Sequence, residues 1–319
     1  MSTPDRLHHA FEAARMYYDE GRTMEAIAQQ LEVSRSTVSR MLRDAREEGL
    51  VEITLRPPGA YRLRELRRRV SERFGLQAHV VGAGPEAGER ARLQAVAAAG
   101  AELLQGMLVP DMTVGVAWGT TTSALVGHLR PSPTPGLRIV QLNGAINTEG
   151  SGLTYVSTVL AKAASLWDAT VHHFPVPAFF DYASTRDAMW KERSVQRVLE
   201  VQRQCTLAVF GVGAFDAEVP SHVYTNNYLS DANRRELERD GAVGDVCTVF
   251  LRADGSWRDV AMNARSTGPQ PTQLARIPRR LLLAAGPRKA VPLRAALRAG
   301  VATDLVVDEV TATSLLALR

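Results

Sequence analysis

Lysine is almost missing from this sequence. Of 38 basic residues only Lys162, Lys191 and Lys289 are lysines, and the rest are arginines. The bias reflects genome composition, and it makes each lysine worth separate attention. Cysteine is scarcer still. Cys205 and Cys247 stand far apart with no metal-ligand spacing around either. A disulfide framework is therefore excluded, and reduced core thiols in a cytoplasmic protein are expected. His172-His173 has no partner spacing either, so no metal is expected. No apolar run reaches the ~18–20 residues that cross a bilayer. The opening MSTPDRLHH has no apolar h-region, so neither a membrane partner nor export is expected. A net charge of +4 is too small to announce nucleic acid by itself.

What is present is enough chain for two domains: 319 residues, 45% of them hydrophobic. The positive charge is also clustered. Arg35, Arg40, Arg43 and Arg46 form one group, and Arg62, Arg64, Arg67, Arg68, Arg69 and Arg73 a second.

The first 50 residues show three short helical patterns. Residues 7–20 carry Leu7, Phe11, Ala14 and Tyr18 on one face and end at Gly21. Residues 24–31 form a second helix, and Glu32-Val33-Ser34 a tight turn. Ser34 is a good N-cap for a third helix that runs to about 48, where Gly49 stops it. This is the spacing of a helix-turn-helix. Ala28 supplies the small residue where two helices cross. Ile27, Leu31, Val33, Val38 and Leu42 supply the apolar anchors. Glu32 stands where such turns often carry glycine. Ser34, Arg35, Ser36, Thr37, Ser39 and Arg40 are left on the exposed start of the third helix, with Arg43 one turn on. Short hydroxyls and long guanidiniums are the groups that reach base edges and phosphates from a helix in the major groove. Double-stranded operator DNA is the expected partner. The alternating LVEITL at 50–55 suggests a winged variant, with the wing near Arg56.

Pro57-Pro58-Gly59 breaks the chain. The expected division is residues 1–56 as the helix-turn-helix domain, 57–75 as a linker and oligomerisation helix, and 76–319 as an effector domain. The arginine-rich helix has two readings. As a DNA arm it would add phosphate contacts. As a structural element, its stripe of Tyr61, Leu63, Leu66, Val70 and Phe74 would pair with another subunit, while Glu65 and Glu72 answer its arginines. The continuous stripe favours the second.

Beyond residue 75 strands alternate with helices. Strands are expected at 78–81, 113–117, 138–142, 170–174, 207–211, 246–251, 281–284 and 304–307, with helices such as 90–105, 156–167, 227–240 and 293–299 between them. The fold class is therefore α/β: a (winged) helix-turn-helix followed by a largely parallel, doubly wound sheet covered on both faces. Open sheets of this kind bind ligands where strands end, and short motifs sit there. Gly115-Val116-Ala117-Trp118-Gly119-Thr120-Thr121-Thr122 runs a strand into a glycine, three hydroxyls and a helix start, which makes a phosphate cradle. Asn143-Gly144, Gly211-Val212-Gly213-Ala214-Phe215-Asp216, Gly241-Ala242-Val243-Gly244-Asp245, Gly286-Pro287-Arg288-Lys289 and Asp308-Glu309-Val310-Thr311-Ala312 follow. Each has a plain structural alternative: a helix-surface lysine for Lys289, a turn cap for Asp245, core packing for Trp118, Trp167 and Trp190.

Taken in order, SRSTVSRMLRDAREEGLVEI, VGVAWGTTT, QLNGA, FPVPAFF, FGVGAFD, GAVGDV, GPRKAVPLRAALRAG and LVVDEVTA resemble the SorC family of sugar-responsive bacterial regulators over essentially the whole chain. The resemblance implies a sensor domain similar to the sugar-phosphate isomerase and deaminase fold, a phosphorylated sugar as effector, and a homodimer or homotetramer. It also implies that Gly119, Thr120, Thr121, Thr122 and Lys289 hold the phosphate and that Asp245 faces the sugar hydroxyls. Asn143, Gly144, Gly213 and Asp216 would line the pocket. Where the family usually has two glycines before x-x-Lys, this chain has Ala285-Gly286, and the extra methyl is expected to narrow the pocket.

An enzyme on this fold would need a general base, a role for Asp245, Asp216 or Glu309. A DNA-remodelling enzyme would need a nucleophilic Ser or Tyr beside an arginine cluster, and the larger domain shows phosphate-sugar motifs instead. A helix-turn-helix fused to a small-molecule pocket makes sense as a switch, with neither catalysis nor a cofactor.

Overall fold

The computed structural model describes residues 3–53, 58–84, 86–147, 151–225 and 227–318. The chain divides into two units, Met1–Pro58 and Gly59–Arg319.

The first unit is α1 (Thr3–Tyr18), α2 (Met24–Gln30) and α3 (Arg35–Glu47) around a small core. Ile27, Ala28, Val38 and Leu42 are buried, with Leu31 and Val33 packed against them, as the helix-turn-helix spacing requires. The face that α1 buries differs from expectation. Ala10, Ala13, Ala14 and Met16 are inside, whereas Phe11 is 46% and Tyr18 39% exposed. Alanines let the α1 and α3 backbones approach closely, and that close approach outweighs the size of the aromatic rings in choosing the buried face.

Glu32 takes φ +52° in the turn. There the Val33 amide returns to the Ala28 carbonyl at 3.0 Å. The wing is not seen among the described residues. Leu50 to Ile53 form no strand; the Leu50 and Val51 amides both bond the Ala45 carbonyl and close the end of α3. Thr54, Leu55 and Arg56, the rest of the expected strand and wing, lie outside the described residues.

The second unit begins with α4 (Pro58–Phe74) and β1 (Gln77–Val81). Then come α5 (Glu89–Met107), β2 (Thr113–Val116), α6 (Thr120–His128), β3 (Arg138–Gln141), α7 (Ser151–Trp167) and β4 (Thr170–His172). The later strands are β5 (Leu207–Gly211), β6 (Gly213–Ala214), β7 (Ala242–Val246), β8 (Val249–Arg252), β9 (Arg279–Ala284) and β10 (Asp304–Asp308). Seven strands form one wholly parallel sheet in the order β1-β10-β9-β5-β2-β3-β4, and β6-β7-β8 form a small antiparallel sheet. One core joins α5, α6 and α7 to one face; a second joins Val70 and the helix Ala290–Arg298 to the other. From β2 the chain steps to β3 and β4 on one side, then returns to place β5 on the other. The strand order reverses at β2/β5, so a crevice opens outside the carboxyl ends of those two strands.

Two expectations need correction. The strand at 246–251 is two strands joined by a tight turn, because Cys247 (φ +50°) and Thr248 (φ +67°) take left-handed conformations. Neither residue advertises such a turn, which usually carries Asn-Gly. The apolar stripe of α4 is also partly used within its own chain. Leu66 and Val70 are buried and Phe74 is packed on the core, leaving Tyr61 65% exposed. Arg68 bridges Glu65 and Glu72 at 2.7 Å each. No helix among the described residues is long and apolar enough to cross a membrane.

A left-handed backbone costs a side-chain-bearing residue roughly 1 kcal/mol. Glu32→Gly should therefore stabilise the first unit by about 0.5–1 kcal/mol. Hydrogen exchange of the α3 amides in the full chain reads this, and unchanged or reduced protection would contradict it.

Candidate functional site

The crevice is lined by residues 117–122 after β2, Asn143 after β3, Gly211, Val212 and Gly213 after β5, and Lys289 after β9. The β7–β8 hairpin adds Asp245, Cys247 and Thr248, and residues 215–224 add Ser221 and Val223. Eight of the ten residues expected at the effector site thus share one cleft. Its free space is about 40 Å³, room for little more than a few waters.

One end is built for an anion. Gly119 is the N-cap of α6 and has no side chain to offer, so no side-chain cap satisfies the first-turn amides. They point partial positive charge at the cleft. Thr121 and Thr122 are buried there. The Thr120 hydroxyl donates to the Pro220 carbonyl at 2.9 Å. Lys289 is 5% exposed. Among the described residues no hydrogen bond or ion pair reaches its ammonium. Burial pulls its pKa down, and the carboxylates of Glu89 and Asp245 push it back up.

The other end is built from acceptors. Asp245 is buried, and its Oδ1 accepts from Tyr224 Oη at 2.5 Å and its Oδ2 from the Thr248 amide at 3.0 Å. Burial raises its pKa; the Tyr224 and Thr248 hydrogen bonds and Lys289 oppose the rise. Gly213 faces Asp245 across the β6–β7 ladder, where a Cβ would collide with Oδ1. Asn143 is 1% exposed and its Oδ1 has no partner among the described residues. Trp118 forms the wall between, stacked on Tyr228 with centroids 5.1 Å apart and donating to the Gly144 carbonyl at 2.9 Å.

Two expected residues fall outside the cleft. Gly144 is structural: its amide donates to Thr267 Oγ1 at 3.0 Å, and a Cβ would strike the Val176 and Pro177 carbonyls. Asp216 is exposed, and it is its backbone carbonyl that accepts from Arg288 at 2.8 Å. The methyl of Ala285 packs in the hydrophobic core and does not narrow the cleft. Tyr224, Thr248, Ser221 and Glu89 were missed. Nothing in their local sequence marks them, because the turn and loop that deliver them are set by tertiary packing.

On the first unit, Ser34 caps α3 by accepting from the Thr37 amide at 3.1 Å and lies 2.7 Å from Ser36 Oγ. Ser34, Arg35, Ser36, Ser39, Arg40 and Arg43 are exposed together and Thr37 partly so. Arg35 and Arg43 make only loose ion pairs, with Glu25 at 3.6 Å and Glu47 at 3.9 Å. Such surface pairs are easily exchanged for DNA phosphates.

A helix-turn-helix joined in one chain to a doubly wound sheet with a polar cleft at its switch point defines a ligand-responsive transcription regulator. Comparison with known proteins agrees. Residues 60–317 match the family described as "Putative sugar-binding domain", and residues 4–52 match a "Homeodomain-like domain". The chain is 32% identical over 307 residues to the deoxyribonucleoside regulator of Bacillus subtilis, covering 96% of each. It is 25% identical to the sorbitol operon regulator of Klebsiella pneumoniae, over 99% of this chain and all of that one. Among solved structures, a domain of a possible sugar-binding transcriptional regulator from Arthrobacter aurescens is 42% identical, with a TM-score of 0.76 over 80% of this chain and 98% of that one. The full-length Klebsiella sorbitol regulator superposes with a TM-score of 0.69 over 98% of this chain and 99% of that one. The chain belongs to the SorC family of sugar-binding transcriptional regulators.

Asp245 gives a pH test. Its pKa is raised in the folded protein, so its contribution to stability is present below the ordinary carboxylate range and lost as pH rises through the raised value. Asp245→Asn keeps the shape without the buried charge. The variant should unfold at a higher temperature than wild type at neutral pH, and the gap should widen as pH rises from the ordinary carboxylate range through the raised value. A gap that is constant or shrinks would contradict the assignment.

Proposed function

We propose that this regulator controls a carbohydrate-utilisation operon and is switched by a phosphorylated sugar held in the β2/β5 cleft. The observation that carries this reading is the buried Lys289 ammonium facing the uncapped start of α6. A phosphate dianion needs neutral donors and a full positive charge, since hydroxyls and amides alone do not balance it. The relatives are named for a deoxyribonucleoside and for sorbitol, which supports a carbohydrate of pentose-to-hexose scale. Asn143 Oδ1 and the remaining lone pairs of Asp245 suit the hydroxyls of such a sugar.

The relatives are transcription regulators, and the cleft suits ligand holding better than turnover. Of the three carboxylates suited to a base, Asp216 and Glu309 do not line the cleft. Both oxygens of Asp245 are already engaged. The DNA contact is assigned to Ser34, Arg35, Ser36, Thr37, Ser39, Arg40 and Arg43. A two-fold operator calls for a homodimer or homotetramer, and Tyr61 at the exposed end of α4 is a candidate point of assembly. Cytoplasmic operation follows from a DNA partner.

Lys289→Ala should abolish the response to the cognate sugar phosphate while the full chain still shifts operator DNA; Lys289→Arg should restore it only in part, since the guanidinium is longer and planar. Calorimetry with the sugar phosphate and its unphosphorylated form tests this. Equal affinity of wild type for both forms would sink the phosphate reading. Separately, Arg35→Ala and Arg40→Ala should each weaken specific operator binding by about 1–3 kcal/mol. A gel shift identical to wild type in both would show that another surface reads the operator.

A further inference from the structure

Glu89 is a buried acid that the effector reading leaves unused. It is the first residue of α5, a position where an acid usually meets both the helix amides and solvent, yet here it is 8% exposed. Two features explain where its carboxylate goes. Its Oε2 accepts from the backbone amide of Val219 at 3.2 Å. Its flat side lies on Gly286, where a Cβ would come within 2.9 Å of the carboxyl carbon and 3.0 Å of an oxygen. Gly286 opens the turn that carries Lys289, whose amide returns to the Gly286 carbonyl at 3.0 Å. One carboxylate therefore sits between residues 215–224, which roof the cleft, and the turn that presents the ammonium. Glu89 and Asp245 are the two carboxylates whose charge supports that of Lys289.

The charges then conflict with the ligand. One ammonium already faces two carboxylates in a buried site. Adding a phosphate dianion beside Lys289 places like charges together where solvent screens them poorly. Two of the hydrogen bonds that hold the roof are Val219 to Glu89 and Pro220 to the Thr120 hydroxyl. Both fastenings use groups of the phosphate end.

We infer that Glu89 is a positioning residue that stands in for the phosphate in the free protein: it balances Lys289, latches Val219, and sets how strongly an effector's phosphate must bind before the roof is released. This rests on the phosphate reading above. It makes Glu89 a residue that weakens effector binding by design of charge, and removing the charge alone should strengthen it.

The test uses the full chain, calorimetry and three probes: inorganic phosphate, ribose 5-phosphate and ribose. Glu89→Gln keeps an oxygen for the Val219 amide and loses only the charge. It should bind both phosphorylated probes on the order of tenfold more tightly, with ribose unaffected. A merely structural Glu89 would give unchanged or weaker binding, which overturns the inference. The phosphate reading survives that result if Lys289→Ala still loses phosphate binding. A wild-type chain that binds neither phosphorylated probe overturns both. Hydrogen exchange at the Val219 amide in the wild-type chain gives an independent readout. Its protection should fall when inorganic phosphate is added, and unchanged protection at saturating phosphate overturns the latch.

Discussion

A positive charge held inside the sensor unit with no hydrogen-bonded partner among the described residues is the constraint around which the rest is arranged. Desolvating an ammonium costs several kcal/mol even after relaxation, so the fold must supply opposing charge nearby or the lysine would lose its proton. Glu89 and Asp245 supply it, and each requires a glycine to leave it room: Gly286 against Glu89, and Gly213 against Asp245. The motif glycines of this chain thus do two kinds of work. Gly119 leaves a helix start uncapped, whereas Gly213 and Gly286 give up a side chain so that a carboxylate can stand beside the cleft.

Asp245 has its own cost, stored in the backbone. The β7–β8 turn places two residues with side chains in left-handed conformations, each at roughly 1–2 kcal/mol. The turn is held by the Thr248 amide on Asp245 Oδ2 and by Thr248 Oγ1 beside Ser266 Oγ at 3.1 Å. A relaxed Asn-Gly turn would close the same hairpin with less strain. The tertiary hydrogen bonds of the hydroxyl at 248 are what the glycine would forfeit, and they hold the turn whose amide fixes the Asp245 carboxylate at the cleft. Strain and function meet at the same two residues.

The sequence was legible where chemistry and periodicity coincide. The seven parallel strands fell within a few residues of their expected places, because all but β4 are short runs with Gly, Asn or Asp within three residues of their ends. The cleft residues were legible for the same reason: strand ends in such a sheet are also ligand positions, so Gly119, Asn143 and Lys289 could be placed before any coordinates. What failed had no local signal. The hairpin at 246–251 reads as one apolar strand, since Val246-Cys247-Thr248-Val249 contains no turn residue. The α1 face was misjudged because size was weighed above the need for close approach, and Ala10 and Ala13 took the places expected for Phe11 and Tyr18. Asp216 was drawn toward the cleft by its neighbours in the FGVGAFD motif, yet the chain turns outward after Ala214 and only Gly211, Val212 and Gly213 stay inside.

The narrowness of the cleft decides what kind of switch it can be. With about 40 Å³ free, against roughly 300–1,000 Å³ for ordinary small-molecule pockets, the cleft is tight. A ligand of ordinary size would need an arrangement in which this cleft is wider. A ligand shifts such an equilibrium only by its difference in affinity for the two arrangements, and here the closed one has almost no room for it, so nearly all of its binding energy is available as bias. Polar contacts on residues 215–224 include Val219 to Glu89, Pro220 to Thr120, Asp216 to Arg288, Tyr224 to Asp245 and Arg234 to the Tyr224 carbonyl. Three of these five involve Glu89, Thr120 or Asp245, side chains in or beside the cleft. Displacing this segment would therefore also free those three side chains, so the same hydrogen bonds would couple a wider cleft to its polar lining.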